Sequence, residues 1–195
     1  MKFNNTPTLI LIIASALSLS ACSTLPTTPI TDRAEMTQEL GKNLKIVDDS
    51  PLSRGTAEMK KDRALVFAAL KQDGYALEYV DPSLKKDKQI VLAAVKSDGY
   101  AITFADPSFL SDPDVVMVAI TNDGTMLNDV DDKFKDDKKF VLAAVKSNGR
   151  ALKYASPRMK RDKEVVAAAV EESKRSLKYA DPVLKKDQAF LDSLD

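Results

Sequence analysis

The sequence predicts an all-α protein: a short helical solenoid of about five 25-residue repeats, each a helix, a shorter helix and a single turn, with degenerate caps at both ends. Three observations predict it. Aspartates at 62, 87, 112, 137, 162 and 187 recur every 25 residues, and fixed self-similarity at a period of about 20–50 residues marks stacked repeats. Apolar residues follow each aspartate at offsets 3, 4, 7 and 8, as in Ile90, Val91, Ala94 and Val95, and those offsets trace one face of an α-helix. Glycines at 74, 99, 124 and 149 close each run with the same period.

Residues 1–21 read as a secretory signal. Lys2 supplies the basic start, Leu9 to Ala14 an apolar core, and small residues lead to Cys22, the sole cysteine. The apolar run is shorter than the roughly 20 residues a spanning helix needs. Leu19-Ser20-Ala21-Cys22 resembles the lipobox of bacterial lipoproteins. The resemblance implies that the Cys22 thiol is lipidated and becomes the new N-terminus, with Ser23 compatible with outer-membrane sorting. An ordinary cleaved signal or an uncleaved anchor is the alternative. Residues 22–43, with Pro, Thr and Ser and no periodicity, are expected to be a flexible tether. Residues 44–195 form the repeat domain, and 44–61 are its worn N-terminal cap, with Leu52 and Met59 still in register.

Within a repeat, the aspartate has the chemistry of a helix N-cap, its carboxylate accepting from the first free backbone N–H groups. Pro113 directly after Asp112 fits the first helical position. The recurring glycine is expected to be a left-handed C-cap; Lys174 holds that place in the fifth copy. A shorter element follows, marked by Leu77, Ile102, Leu127, Leu152 and Leu177. A strand over 100–104 is the alternative there. Asp81-Pro82, Asp106-Pro107, Ser156-Pro157 and Asp181-Pro182 then open one turn, anchored by Leu84, Phe109, Phe134, Met159 and Leu184. Paired alanines such as Ala93-Ala94 let neighbouring helices approach. The final copy ends in polar residues, as a solubilising cap should.

The run D-K-x-x-V-L-A-A-V-K-x-x-G-x-A-L-x-Y-A-x-P-x-x-K-x-D over residues 58–191 resembles the repeat of a bacterial family known as domain of unknown function 4116. Asp87-Lys88, Val91 to Lys96, Gly99 and the copy from Asp137 to Tyr154 carry the resemblance. It implies helical repeats and no activity, cofactor or site. The third copy departs from it, with Asp129 at the aromatic position and Asp132 at the proline position.

The chemistry available is limited. The chain has no histidine, so Ser-His-Asp and Cys-His nucleophile systems and histidine metal sites are excluded. Without the signal, 28 basic and 29 acidic residues remain, which does not favour nucleic acid. No catalytic, cofactor or metal residue is assigned. The acidic stretch 128–137 lacks the glycine and ligand spacing of a calcium loop, so it is a solvated turn or a weak cation or partner site. The basic pairs Lys60-Lys61, Lys85-Lys86, Lys160-Arg161 and Lys185-Lys186 either suit the local helix dipole or form a ridge for anionic envelope polymers or lipid headgroups. The aromatics Tyr79, Phe104, Tyr154 and Tyr179 are inter-repeat core or a sugar-stacking ladder.

The expected function is a non-catalytic, membrane-tethered interaction or structural lipoprotein of the bacterial envelope. It is anchored through Cys22, with a protein or envelope-polymer partner. The competing class is an enzyme or enzyme subunit that acts on envelope carbohydrate through carboxylates, which needs a pair about 5–10 Å apart in one cleft. Asp129, Asp131 and Asp132, where the third copy changes its surface and keeps its scaffold, are the candidate partner patch.

Overall fold

The computed structural model describes residues 29–41 and 50–194. The signal, Cys22 and the first part of the expected tether lie outside the described residues. In chain order the α-helices are α1 (Arg33–Gly41), α2 (Ala57–Lys61) and α3 (Arg63–Gln72), then α4 (Lys88–Ser97) and α5 (Pro113–Asn122). A one-turn α6 (Asp132–Lys135) precedes α7 (Lys138–Ser147), α8 (Lys163–Glu172) and the short α9 (Gln188–Asp192). Between them run 3-10 segments, of which Gly74–Tyr79, Gly99–Phe104, Gly124–Asn128, Gly149–Tyr154 and Lys174–Tyr179 form a second series. No strand is present among the described residues. The segment 100–104, where a strand was the alternative, is 3-10 helix.

Each long helix has ten residues and starts on the repeat aspartate. The Asp87 carboxylate accepts from the N–H groups of Gln89 and Ile90 at 2.8 and 3.4 Å, satisfying donors that a helix start leaves orphaned. The predicted apolar face is the buried face. Ile90, Val91, Ala94 and Val95 in α4 are fully buried, and so are Val115, Val116, Ala119 and Ile120 in α5. Helices α3, α4, α5, α7 and α8 pack in sequence, each on the next. The core is therefore one continuous strip, as expected when no unit of this length can bury its own apolar face.

The glycines are not left-handed C-caps, and here the sequence reading is corrected. Each helix ends on Asp73, Asp98, Asp123, Asn148 or Ser173 in extended conformation. No glycine shows a positive φ. Glycine is needed for close approach instead. A Cβ on Gly74 would lie 2.5 Å from the Ala94 carbonyl oxygen, and one on Gly99 2.6 Å from that of Ala119. Gly124 and Gly149 meet the carbonyls of Ala144 and Ala169 in the same way. The glycine of one repeat thus seats the helix of the next. Lys174 fits this rule: the truncated α9 ends at Asp192, before the register position that would supply its carbonyl.

The tether reading of 22–43 is also corrected over 29–41. Ile30 is fully buried and bridges Gly55, its N–H donating to the Arg54 carbonyl at 3.0 Å. Asp32 caps α1 through the Ala34 N–H at 3.0 Å, and Met36 and Leu40 are buried. Asp32-Arg33-Ala34 repeats as Asp62-Arg63-Ala64. Met36 and Leu40 therefore take the places of Val66 and Leu70, and α1 is a worn repeat set 30 residues ahead rather than 25. Apolar contact outweighs the polar composition that suggested a tether.

Candidate functional site

Two kinds of polar connection recur at the junctions between repeats. The first links helix starts. The residue after one cap reaches the cap of the next repeat: Arg33–Asp62 at 2.9 Å, Arg63–Asp87 at 3.0 Å, Lys88–Asp112 at 2.8 Å, Lys138–Asp162 at 2.9 Å and Lys163–Asp187 at 2.8 Å. One rung is missing among the described residues. Pro113 has no charge to offer, and Asp137 accepts only from the Lys139 N–H at 2.9 Å.

The carboxylates of Asp62, Asp87, Asp112, Asp162 and Asp187 ionise more readily than usual. At Asp62 the Arg33 hydrogen bond is the leading cause, followed by the Leu65 N–H. At Asp87, Asp112 and Asp162 burial pushes upward, but the basic partner and the backbone donors together outweigh it. A depressed folded-state pKa contributes stability that is fully present above the unfolded value of about 3.9 and lost as pH falls through the folded value. Asp73, raised by burial, acts in the opposite direction. The melting temperature should therefore hold from neutral pH to about pH 5 and fall below about pH 4. Asp87→Ala should lose about 0.5–2 kcal/mol at pH 7, and its deficit should shrink in acid. Thermal melts at pH 7, 5 and 3 read both effects; a deficit independent of pH would exclude the charged cap as its source.

The second connection lies at the turns. The backbone N–H groups of Asp81, Asp106, Asp131, Ser156 and Asp181 donate to the carbonyls of Lys60, Lys85, Leu110, Lys135 and Lys160 in the preceding repeat. Beside these bonds a side-chain pair recurs: Lys86–Asp106 at 3.9 Å, Ser111 with Asp131, Asp136 with Ser156, and Arg161–Asp181 at 3.0 Å. The acid changes sides at Asp136, and its partner changes to serine with it, so two acids never face each other there. Arg158 adds a second partner for Asp136 at 3.0 Å. The basic pairs divide by role. Lys85 and Lys185 donate from Nζ to the carbonyls of Glu78 and Lys178 at the end of a 3-10 segment. Burial lowers the pKa of Lys85 and of Lys160. Lys85 and Lys185 are therefore spent within their own repeats, while Lys61, Lys86, Arg161 and Lys186 are exposed.

The predicted patch is exposed but does not converge. Asp129 accepts from the Asn128 side chain at 2.9 Å, Asp131 from Ser111, and Asp132 pairs with Lys135 at 2.9 Å. Among the described residues no group of three or more carboxylate or cysteine side chains is placed to hold a metal ion. A shallow depression of about 390 Å³ beside Pro157, Met159 and Asp162 opens broadly to solvent. No described helix is long and apolar enough to cross a membrane.

Tyr79, Phe104, Tyr154 and Tyr179 are half-buried and, as partly buried side chains, pack on the core. The exposed aromatics are others, Tyr75 and Tyr100, 44% and 39% accessible. Their rings stack with centroids 5.5 Å apart, and Phe104 lies 5.7 Å from both. They sit on the outer face of the 3-10 segments, whose starts are capped by Asp73, Asp98, Asp123 and Asn148. The signal for this second cap series was an Asp or Asn before each glycine.

A tandem helical-repeat solenoid is thus the class that the fold and its junctions define. The family model described as "Domain of unknown function (DUF4116)" matches residues 62–110, 87–135, 112–160 and 137–185 in overlapping windows. These windows cover more than half of the chain, and the chain belongs to that family. Comparison with curated proteins and with solved structures found no match in either.

Proposed function

We propose that the protein is a non-catalytic interaction or structural lipoprotein of a bacterial envelope, held at the membrane through Cys22, with the outer membrane as its expected site. What carries the reading is how the recurring charged groups are spent. The helix-start aspartates cap helices and, at five of six positions, bind the preceding repeat, which leaves the outer surface of the solenoid to meet a partner. The lipobox Leu19-Ser20-Ala21-Cys22 supports the anchor. Each acyl CH₂ buried in a bilayer contributes about 0.8 kcal/mol, and two or more chains hold a protein stably. Cells given labelled palmitate should label the unmodified chain and not Cys22→Ala, and the label should travel with the membrane fraction. An unlabelled chain that stays in the soluble fraction would overturn the anchor.

A further inference from the structure

The outer face of the 3-10 series changes sign along the solenoid. Segments 73–79, 98–104 and 123–129 carry Asp73, Glu78, Asp98, Asp123 and Asp129 and no base. Segments 148–154 and 173–179 carry Arg150, Lys153, Lys174, Arg175 and Lys178 and no acid. None of these five cations forms an ion pair among the described residues and all are exposed, with Lys153 and Lys178 lying over the rings of Tyr154 and Tyr179 at 5.4 and 4.8 Å. What sets this half-face apart is that it carries five bases and no acid.

The order of residues within each register gives the partner. One register reads Tyr75, Tyr100, Thr125, Arg150, Arg175, and a second reads Glu78, Thr103, Asn128, Lys153, Lys178. Suppose a second copy lies face to face and antiparallel, related by a two-fold axis that crosses the middle repeat. Each register then faces itself in reverse order, because such an axis reverses the solenoid direction but keeps the lateral position. Tyr75 meets Arg175, Tyr100 meets Arg150, and Glu78 meets Lys178. Every such pair occurs twice, as an isologous interface requires. An arginine guanidinium can donate to the hydroxyl of an exposed tyrosine, which accepts. Asn128 meets its own copy on the axis without charge. Asp123 and Asp129 approach their own copies near the axis, at a cost. That cost is limited because Asp123 is already bonded to Thr125 at 2.7 Å and Asp129 to Asn128.

We infer that this face is a self-association surface, on which a second copy of the chain docks antiparallel, its basic half on the acidic, tyrosine-bearing half of the first. The inference names a partner for the interaction surface proposed above and rests on that reading of the repeats. It does not depend on the lipid anchor, so its failure and a failed palmitate labelling are separate results.

The test uses the full chain in its own membrane, with a cysteine placed on the axis. Asn128→Cys should give a reducible band of twice the chain mass on mild oxidation. The unmodified chain and Val183→Cys, which is 62% exposed on a turn, should not. In the Asn128→Cys background, Glu78→Lys sets lysine against Lys178 twice and should cut the crosslink about tenfold. Adding Lys178→Glu should restore it. Equal crosslinking at 128 and 183, or no restoration by the double reversal in a chain with an unchanged circular dichroism spectrum, would overturn the inference. A chain that fails to crosslink but binds anionic phospholipid vesicles through Arg150 and Arg175 would overturn it in favour of a headgroup surface.

Discussion

Gly99→Ala is expected to destabilise the protein by about 2–3 kcal/mol, although it adds one methyl group. The new Cβ would sit 2.6 Å from the Ala119 carbonyl oxygen and 3.0 Å from the Asp123 nitrogen. Both obstacles are backbone, and the backbone belongs to the next repeat, so relief requires that α4 and α5 separate. Gly99→Asn should cost at least as much. That outcome distinguishes close approach from a left-handed cap, where asparagine is tolerated. Lys174→Ala, in the same register with no helix seated on it, should stay within about 0.5 kcal/mol. Urea titrations of the three variants measure all of this. Equal small losses at 99 and 174 would show that the glycine does not seat the next helix.

Leu127→Ala should cost about 2–5 kcal/mol. Leu127 is fully buried in the 3-10 segment of the middle repeat, with α5 and α7 packed on that segment. In a stacked array stability is a sum of unit and nearest-neighbour contributions. A cavity in the middle therefore weakens two junctions, whereas the same loss at the last copy weakens one. Leu194→Ala, half-buried behind α9, is expected to lose less than about 1 kcal/mol. Hydrogen exchange should show faster opening in α5 and α7 for Leu127→Ala and only near α9 for Leu194→Ala. Uniform acceleration along the chain for both variants would mean that the array opens as one unit.

Most of the architecture was legible in the sequence because its causes are local. An aspartate before a run with offsets 3, 4, 7 and 8 contains both the cap and the buried face of α4. The causes that were not legible act between repeats. Gly99 looks like a helix terminator until the Ala119 carbonyl is placed against it, since a sequence shows neither φ nor a neighbour 20 residues away. The ladder of helix starts was visible only as a basic residue after four of the six repeat aspartates, Arg63, Lys88, Lys138 and Lys163. Pairing it with the next cap needs the stacking distance. The first unit escaped because α1 keeps Asp32-Arg33-Ala34 at a 30-residue interval, which a search at 25 passes over. Among surface residues, the sequence drew attention to Asp129, Asp131 and Asp132, which the fold spreads over separate partners. Tyr75 and Tyr100, exposed and stacked, matter only once the 3-10 segments lie side by side.

The seating glycine gives the array a direction of growth. A unit duplicated between existing units arrives with its glycine and its alanine carbonyl already matched, and needs no second change. Attaching a whole unit after position 187 would bring a helix wall against Lys174, which would first have to become glycine. Lengthening in the interior is thus a one-step event and lengthening at that end a two-step event. The near-identical Lys-Gln/Lys-Ile/Phe-Val-Leu-Ala-Ala-Val-Lys-Ser runs of α4 and α7, two units apart, are where such an internal duplication would leave its trace.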